Sequence, residues 1–161
     1  MYILSVACMI VIVDQVSKYL VSDFFSRHAE SIPLIPNIFH LTYVHNTGMA
    51  FGMFRDHPAI LIVVIVVSLI IIAIYAINSH QGKVVLYVAY GFILGGAIGN
   101  LLDRLIFRYV IDFIEWYIRI GQKVRQWPTF NIADVAIVVG IGLMILQMVP
   151  RKQEKKGKES T

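Results

Sequence analysis

The chain contains 161 residues, of which 58% are hydrophobic and only 15% are charged. A soluble domain normally contains about 45–50% apolar and 25% charged residues. The composition therefore predicts a small integral membrane protein with one domain over residues 1–161. The single cysteine, Cys8, excludes an internal disulfide and a site built from several thiolates. Because Cys8 lies in an apolar run, we expect a small buried side chain without chemistry.

The first apolar segment, residues 2–20, is just long enough to cross a hydrocarbon core of about 30 Å. It carries Asp14 and Lys18 and lacks the basic start and the small-residue cleavage site of a signal peptide, so it predicts a retained span. Asp14 and Lys18 are four residues apart and share one helical face, where they can pair. The pair either only fixes the helix or also supports a functional centre.

Residues 22–57 connect the first span to the second, and two prolines there disfavour a helix. Residues 38–44 are rich in β-branched and aromatic side chains and predict a strand. The loop after it contains Asn46, whose amide both donates and accepts hydrogen bonds, and Gly48, which allows close approach to a ligand. A plain turn and a binding loop both fit these residues.

Two further spans are predicted for residues 58–77 and 84–102, and the short polar turn between them makes them antiparallel neighbours. The first of these has no charge and is expected to be a lipid-facing wall without chemistry. In the other, glycines recur every four residues at 91, 95 and 99, which is the pattern of close helix packing in membranes. Asn100 follows directly, so we expect it inside the packed interior.

Asp103 and Arg104 end the third span with adjacent opposite charges and are expected to partner each other. Such residues are typical of an anchor at the membrane interface. The planar fork of Arg104 also suits the oxygens of a lipid phosphate. Residues 106–129 hold Asp112 and are too short and too basic to span, so they are predicted to form an interfacial loop.

Residues 131–149 are the fourth predicted span, which opens with Asn131 and Asp134. Four spans put both termini on one side, and the basic tail at residues 150–161 predicts that this side is the cytoplasm. No folded basic module accompanies the tail, so nucleic-acid binding is not expected. The four acids at segment ends then lie on the extracytoplasmic side, where they can converge; they are Asp14, Asp103, Asp112 and Asp134.

Asp112 and Asp134 are the candidate catalytic pair, because neither has a base beside it in the sequence. Two neighbouring carboxylates in an apolar setting share one proton, as in aspartic proteases. The ionised member then removes a proton from water while the protonated member polarises the scissile carbonyl, and no metal or cofactor is required. A structural role for both acids, as helix caps or buried hydrogen-bonding groups, is the alternative.

Five short motifs follow one another along the chain. They are Asp14-Gln15-x-x-Lys18, Asn46-x-Gly48-x-Ala50-Phe51-Gly52, Gly95-Gly96-Ala97-x-Gly99-Asn100-x-x-Asp103-Arg104, Val110-x-Asp112-Phe113 and Phe130-Asn131-x-Ala133-Asp134. With these motifs on a four-span chain, the sequence resembles lipoprotein signal peptidase, also called signal peptidase II, over essentially its full length.

The resemblance implies a bacterial aspartic endopeptidase of the inner, cytoplasmic membrane that removes signal peptides from prolipoproteins, just before a cysteine carrying diacylglycerol. It implies an all-α membrane protein with a small β part: four transmembrane helices, an extracytoplasmic β-cradle to which residues 38–54 contribute, and an interfacial amphipathic helix. We expect a monomer in contact with phospholipid, with its active site at the extracytoplasmic face.

The resemblance also implies roles for individual residues. Asp112 and Asp134 match the catalytic dyad that activates water. The positions that match support and substrate-binding residues are Asn46, Gly48, Asn100, Arg104, Asn131, Ala133, Asp14 and Lys18.

Two other functions use acids in an apolar chain. A small transporter or proton channel would use them as a relay, but it predicts acids at mid-span in repeated halves, which this sequence lacks. A non-catalytic membrane scaffold would tolerate replacement of either aspartate by asparagine.

Overall fold

The structure is a computed structural model that describes residues 2–28, 30–48, 53, 57–78, 83–120 and 123–148. These residues form four helices: α1 (Tyr2–Phe25), α2 (Pro58–Asn78), α3 (Val84–Ile106) and α4 (Ile132–Met148). They also form four strands: β1 (Ile32–Ile35), β2 (Phe39–Asn46), β3 (Val110–Ile120) and β4 (Lys123–Gln126).

Each helix covers one of the predicted apolar segments, although α1 and α3 continue past the predicted ends at residues 20 and 102. Three of them, α1, α2 and α3, are long and apolar enough to cross a membrane. The fourth, α4, has 17 residues, which corresponds to about 26 Å at a rise of 1.5 Å per residue. The polar turn at 79–82 and the predicted basic tail at 150–161 lie outside the described residues.

Glycines on α3 bring α1 into close contact with it. A Cβ atom added to Gly91 would lie 2.7 Å from the Cβ of Val6, and one added to Gly95 would lie 2.8 Å from the carbonyl oxygen of Ala7. Real Cβ atoms do not approach other atoms so closely, because non-bonded atoms at these distances repel each other. The predicted small-residue packing of α3 is therefore confirmed, and its partner is α1.

Gly96 and Gly99 extend the same close packing to α4 and to the polar centre. A Cβ atom on Gly96 would collide with the carbonyl oxygen of Ala133 at the start of α4. One on Gly99 would lie 2.6 Å from Oδ2 of Asp14. The absence of side chains at these positions lets three helices meet where their polar residues lie.

The four strands form one antiparallel sheet in the order β1-β2-β3-β4. In the central pair, Leu41 lies opposite Ile114 and Val44 lies opposite Asp112, with a bulge between these two pairs. The sheet packs on the end of α1 through a cluster of three buried side chains, which are Val21, Ile111 and Phe113. Hydrophobic burial thus fixes β3, and Asp112 with it, against the helices.

The prediction of a strand at residues 38–44 is confirmed, but the prediction of a loop at 106–129 is wrong, since this region contains β3 and β4. Its aromatic and basic residues resemble an interfacial belt, yet Ile111 and Phe113 of β3 pack against Val21 of α1. Pro33 lies within β1, an edge strand, where a missing N–H group is tolerated.

The predicted interfacial amphipathic helix has no counterpart in the part of the chain that the structure describes, which contains only the four helices named above. Most of the loop after Gly48, at residues 49–52 and 54–56, lies outside that part. The amphipathic helix stays a prediction.

The prediction that Cys8 is buried is wrong, because its side chain is exposed on α1. An apolar run in a membrane protein supplies both interior and lipid-facing positions, so hydrophobicity alone does not tell which side a residue faces. Most of α2 is exposed in the same way: only 11% of its most apolar window is buried in the protein.

Replacement of Gly95 by alanine tests the close contact of α1 and α3. We expect Gly95→Ala to lower the free energy of unfolding by about 1–3 kcal/mol, because the added methyl group must displace the backbone of α1. Thermal unfolding in detergent measures this change.

Gly142→Ala is the matched control, because a Cβ atom there meets nothing within 4 Å. It should leave stability unchanged or raise it by up to about 1 kcal/mol through helix propensity. Equal effects of the two substitutions would contradict the packing argument.

Candidate active site

Asp134 and Asn131 form a reciprocal cap at the start of α4. The backbone N–H of Asp134 donates to Oδ1 of Asn131 at 3.0 Å, and the backbone N–H of Asn131 donates to Oδ2 of Asp134 at 3.1 Å. This is the geometry of a capping box, in which two backbone donors without helical partners are satisfied. An acid in the first turn is also favoured by the helix dipole. Asp134 is therefore a helix cap, as the structural alternative predicted, but only its Oδ2 takes part in the cap. Its Oδ1 is available to another partner.

Asp112 lies on β3 with its side chain buried, at 1% exposure. Its Oδ1 accepts a hydrogen bond from Nδ2 of Asn131, and its Oδ2 accepts one from Nδ2 of Asn46, both at 2.7 Å. Burial, reinforced by the negative charge of Asp134, raises the pKa of Asp112 to about 7, while the two asparagine donors oppose this rise. This carboxyl therefore retains its proton to a much higher pH than an ordinary aspartate does.

Asn100 links the second aspartate to α1. Its Nδ2 donates to Oδ1 of Asp134 at 2.8 Å. Its Oδ1 accepts from Nζ of Lys18 and from Nδ2 of Asn131, both at 3.0 Å. Asn100 is 8% exposed, which confirms its predicted place in the interior. Each of the four oxygens of the two aspartates therefore accepts one N–H hydrogen bond, three of them from asparagine side chains.

Lys18 is the centre of a buried ion cluster. Its Nζ lies 2.8 Å from Oδ2 of Asp14, the predicted partner, and 2.9 Å from Oδ2 of Asp103, with all three side chains at most 2% exposed. The predicted pairing of Asp103 with Arg104 is wrong, because Asp103 instead pairs with Lys18 on the facing helix.

The carboxylates of Asp14 and Asp103 also hold the backbone of the site. Asp14 Oδ1 accepts from the backbone N–H of Ala133 at 3.0 Å, and Asp103 Oδ2 accepts from that of Ile111 at 3.1 Å. Ala133 is fully buried. The two acids thereby fix the residues next to Asp134 and Asp112.

Arg104 is 9% exposed and holds the loop after β2. It donates to the carbonyl oxygens of Gly48, at 2.9 Å, and Asn100, at 3.3 Å. The backbone N–H of Gly48 in turn donates to Oδ1 of Asn46 at 3.0 Å. The interpretation of Arg104 as an interfacial anchor is therefore wrong, and the residue braces the turn that presents Asn46.

A groove of about 1080 Å³ lies beside the two aspartates. Its polar end is formed by Asn46, Asn100, Arg104, Asp112 and Asp134. The rest is almost wholly apolar and is lined by α2, α3, α4, β3 and the segment from Trp127 to Phe130. One face of α2 borders this groove through Val64, Ile65, Ser68 and Ile72, so the prediction that α2 only faces lipid is wrong.

Comparison with known proteins identifies this arrangement. A family model described as signal peptidase (SPase) II matches residues 6–150. The lipoprotein signal peptidase of Moorella thermoacetica is 40% identical over 91% of this chain and 91% of its own. That of Halothermothrix orenii is 40% identical over 94% of this chain and 97% of its own. The chain belongs to the signal peptidase II family.

Membership makes the chain a peptidase, and its apolar helices make it a multi-pass membrane protein. A solved structure described as a bacterial membrane enzyme has a TM-score of 0.79 and 29% identity, covering 93% of this chain and 94% of that one. A second solved structure with the same description has a TM-score of 0.78 and 28% identity, covering 99% and 94%.

The structure brings all ten candidate residues of this signal peptidase II family member to one region and adds others that the sequence did not single out. Gln15 donates from Nε2 to Oδ2 of Asp14 and to Oδ1 of Asp103, at 3.1 and 3.0 Å. Trp116 and Trp127 line the groove. Gln15 lies inside the motif Asp14-Gln15-x-x-Lys18, which is a usable signal in the sequence, whereas none of the five motifs contains a tryptophan. Within the described ranges, no group of three or more metal-binding side chains occurs.

The raised pKa of Asp112 predicts how stability depends on pH. An unfolded aspartate titrates near pH 3.9, so between about pH 4 and pH 7 the folded chain binds a proton that the unfolded chain has released. The free energy of unfolding therefore falls as pH rises through this window. We expect Asp112→Asn to remove this dependence. The melting temperature of the variant, measured relative to that of the wild type, should therefore rise between pH 4 and pH 8.

Asp23→Asn is the matched control, because Asp23 is exposed and pairs only with Arg27 at the surface, at 3.0 Å. Its difference from the wild type should stay small and constant with pH. A constant difference for Asp112→Asn as well would contradict a proton held at Asp112.

Proposed function

We propose that the chain is an aspartic endopeptidase that removes the signal peptide from diacylglyceryl-modified prolipoproteins, cutting before the lipidated cysteine. The observation that carries this proposal is that Asp112 and Asp134 share Asn131 at the polar end of an apolar groove. The names of the relatives, lipoprotein signal peptidases, support the substrate class.

The two aspartates have different surroundings, which suits different roles. Asp112 is buried, and this burial raises its pKa to about 7, which favours one proton on the dyad near neutral pH. Asp134 is partly buried and borders the groove. The pair titrates as a unit, so one proton and one negative charge belong to both carboxyls together.

The reaction follows from this division. The ionised carboxylate removes a proton from a water molecule while the protonated carboxyl donates a hydrogen bond to the scissile carbonyl oxygen. The oxygen of the water bonds to the carbonyl carbon and gives a tetrahedral intermediate. The proton taken from the water then passes to the leaving amine as the peptide bond breaks.

The apolar part of the groove suits the signal helix and the acyl chains of the substrate. Each buried methylene group contributes about 0.8 kcal/mol, so acyl chains supply binding energy that an unlipidated peptide lacks. Trp116 and Trp127 border the groove beside β3, and the backbone N–H of Trp127 donates to the carbonyl oxygen of Trp116 at 2.7 Å. Large aromatic side chains of this kind suit the boundary between lipid and water.

We further propose that α4 is a fourth span and that the chain is one domain, a monomer of the bacterial cytoplasmic membrane in contact with phospholipid. Strands β1 and β2 connect the end of α1 to the start of α2, and β3 and β4 connect the end of α3 to the start of α4, so these four helix ends lie on one side. The dyad then faces the extracytoplasmic side, with both termini in the cytoplasm, as the basic tail favours.

The first test is cleavage of a diacylglyceryl-modified prolipoprotein by purified protein in the presence of a chelator. We expect the wild type to cut, and Asp112→Asn and Asp134→Asn to lower kcat by about 10²–10⁴-fold, because each removes one partner of the proton transfer. Asp23→Asn, at an exposed site, is the matched control and should keep its activity.

Two results would contradict the mechanism, and a third would contradict the proposed lipid selectivity. Loss of wild-type activity with chelator would indicate a metal-dependent peptidase. Full activity of either aspartate variant would remove that residue from the dyad. Cleavage of an unlipidated substrate at the same rate would remove the proposed lipid selectivity.

The groove itself is tested by filling it. Val64 lines the groove, whereas its neighbour Val63 is exposed elsewhere on α2 and does not. We expect Val64→Trp to raise KM about tenfold, because the larger side chain displaces roughly two methylene groups of the substrate from the groove. Val63→Trp should leave KM unchanged. Equal KM values for the two variants, measured with the lipidated substrate, would exclude this surface from substrate binding.

A further inference from the structure

We propose that Lys18 is a positioning residue for the dyad, acting through Asn100 to hold the charge and the hydrogen bonding of Asp134. This role goes beyond an ion pair that fastens α1 to α3. It rests on the proposed function for its consequence in catalysis, whereas the contacts themselves do not depend on that function.

All three N–H donors of Lys18 are used within the protein. Nζ lies 2.8 Å from Asp14 Oδ2, 2.9 Å from Asp103 Oδ2 and 3.0 Å from Asn100 Oδ1. The side chain is 2% exposed, so water does not substitute for any of these partners. The third donor goes to a neutral amide that contacts Asp134, although α1 and α3 would be joined by the two carboxylates alone.

The ammonium group determines which end of the Asn100 amide faces which neighbour. A lysine ammonium only donates, so the Asn100 atom beside Lys18 must be the oxygen. The nitrogen must then face Oδ1 of Asp134, to which it donates at 2.8 Å. The reversed amide would direct its oxygen at a carboxylate and its nitrogen at an ammonium, with repulsion at both ends.

Asn131 supports the same orientation from the other side. Its Nδ2 donates to Asn100 Oδ1 at 3.0 Å, while its own Oδ1 is held by the backbone N–H of Asp134. The oxygen of Asn100 thus accepts one hydrogen bond from a cation and one from a neutral amide. A charge-assisted bond is the stronger kind and polarises the amide that accepts it, which strengthens the bond that the same amide donates.

The charges around the dyad make the cation of Lys18 consequential. Two acids of the cluster, Asp14 on α1 and Asp103 on α3, add negative charge beneath Asp112 and Asp134. Only two cations among the described residues oppose these four acids in the buried centre: Lys18 and Arg104. The positive charge of Lys18 also favours the ionised form of Asp112 and so opposes the rise of its pKa. Removal of Lys18 therefore disfavours the single negative charge that the dyad needs.

The test is the pH profile of kcat for Lys18→Met, a variant of similar length without donor or charge. Loss of the nearby cation makes the dyad harder to ionise, so we expect the acidic limb of the profile to move upward by about one pH unit, at the low end of the roughly 1–3 units that an adjacent opposite charge gives. Wild-type cleavage in the same assay tests the proposed function separately.

Gln15→Met is the matched control, because Gln15 donates to the same two carboxylates, Asp14 and Asp103, but carries no charge and leaves the contact from Lys18 to Asn100. It should lower the melting temperature without moving the limb. A limb that stays in place for Lys18→Met, or that moves equally in both variants, would overturn the proposal and leave Lys18 a structural residue.

A second variant keeps the test possible if Lys18→Met does not fold, and a second measurement keeps it possible if no substrate is cleaved. If Lys18→Met does not fold, Asp14→Asn/Lys18→Met removes one charge of each sign. Its acidic limb should move upward by less than that of the single variant, and the remaining shift reports the lost hydrogen bond from Lys18 to Asn100. Infrared titration of the protonated carboxyl band, assigned with Asp112→Asn, reports the same shift without turnover. An unshifted band in the Lys18 variant would overturn the proposal even if no prolipoprotein were cleaved.

Discussion

The hydrogen bond from Asn131 Nδ2 to Asp112 Oδ1 joins the strand that carries one aspartate to the first turn of α4, which carries the other. It is short, at 2.7 Å, and fully buried. The pairing of Phe130 with Ile114 beside it gives the register, through N–H donors to carbonyl oxygens at 2.8 and 3.0 Å. Asn131 also caps α4 together with Asp134, so one amide sets the relation of both carboxyls. A chain that lost this bond would keep its helices and lose the shared site.

Close packing of the helices allows the charged groups of the site to be buried, because it brings their partners within reach. Charged groups in an apolar interior are tolerated only when paired and hydrogen-bonded, and the partners here come from different helices. Lys18 on α1 reaches Asp103 on α3 only because the helices meet at glycines, and the missing side chain of Gly99 leaves room for the carboxylate of Asp14. The small-residue pattern of α3 is therefore a condition of the chemistry as well as of the fold, which links a packing motif to a charge arrangement.

Much of this was readable from the sequence, and the rest was not, for physical reasons. Apolar length predicted the four helices, and spacing predicted the pair of Asp14 and Lys18. Adjacency misled for Asp103 and Arg104, because neighbours on a helix point in different directions, about 100° apart. The strand that carries Asp112 was hidden because β-structure depends on partners distant in sequence. The exposed side chain of Cys8 was hidden because lipid and protein interior are equally apolar.

The two aspartates have different surroundings because they lie in different kinds of structural element. Asp112 lies on a strand whose other face packs against α1 through Ile111 and Phe113, and its carboxyl accepts hydrogen bonds from two asparagine amides. Asp134 begins a helix whose apolar side lines the groove, and both carboxyls lie at the polar end of that groove. A buried acid near a second acid retains its proton to a higher pH than an exposed acid does. The different surroundings of the two carboxyls are thus a consequence of placing one in a sheet and the other in a helix cap.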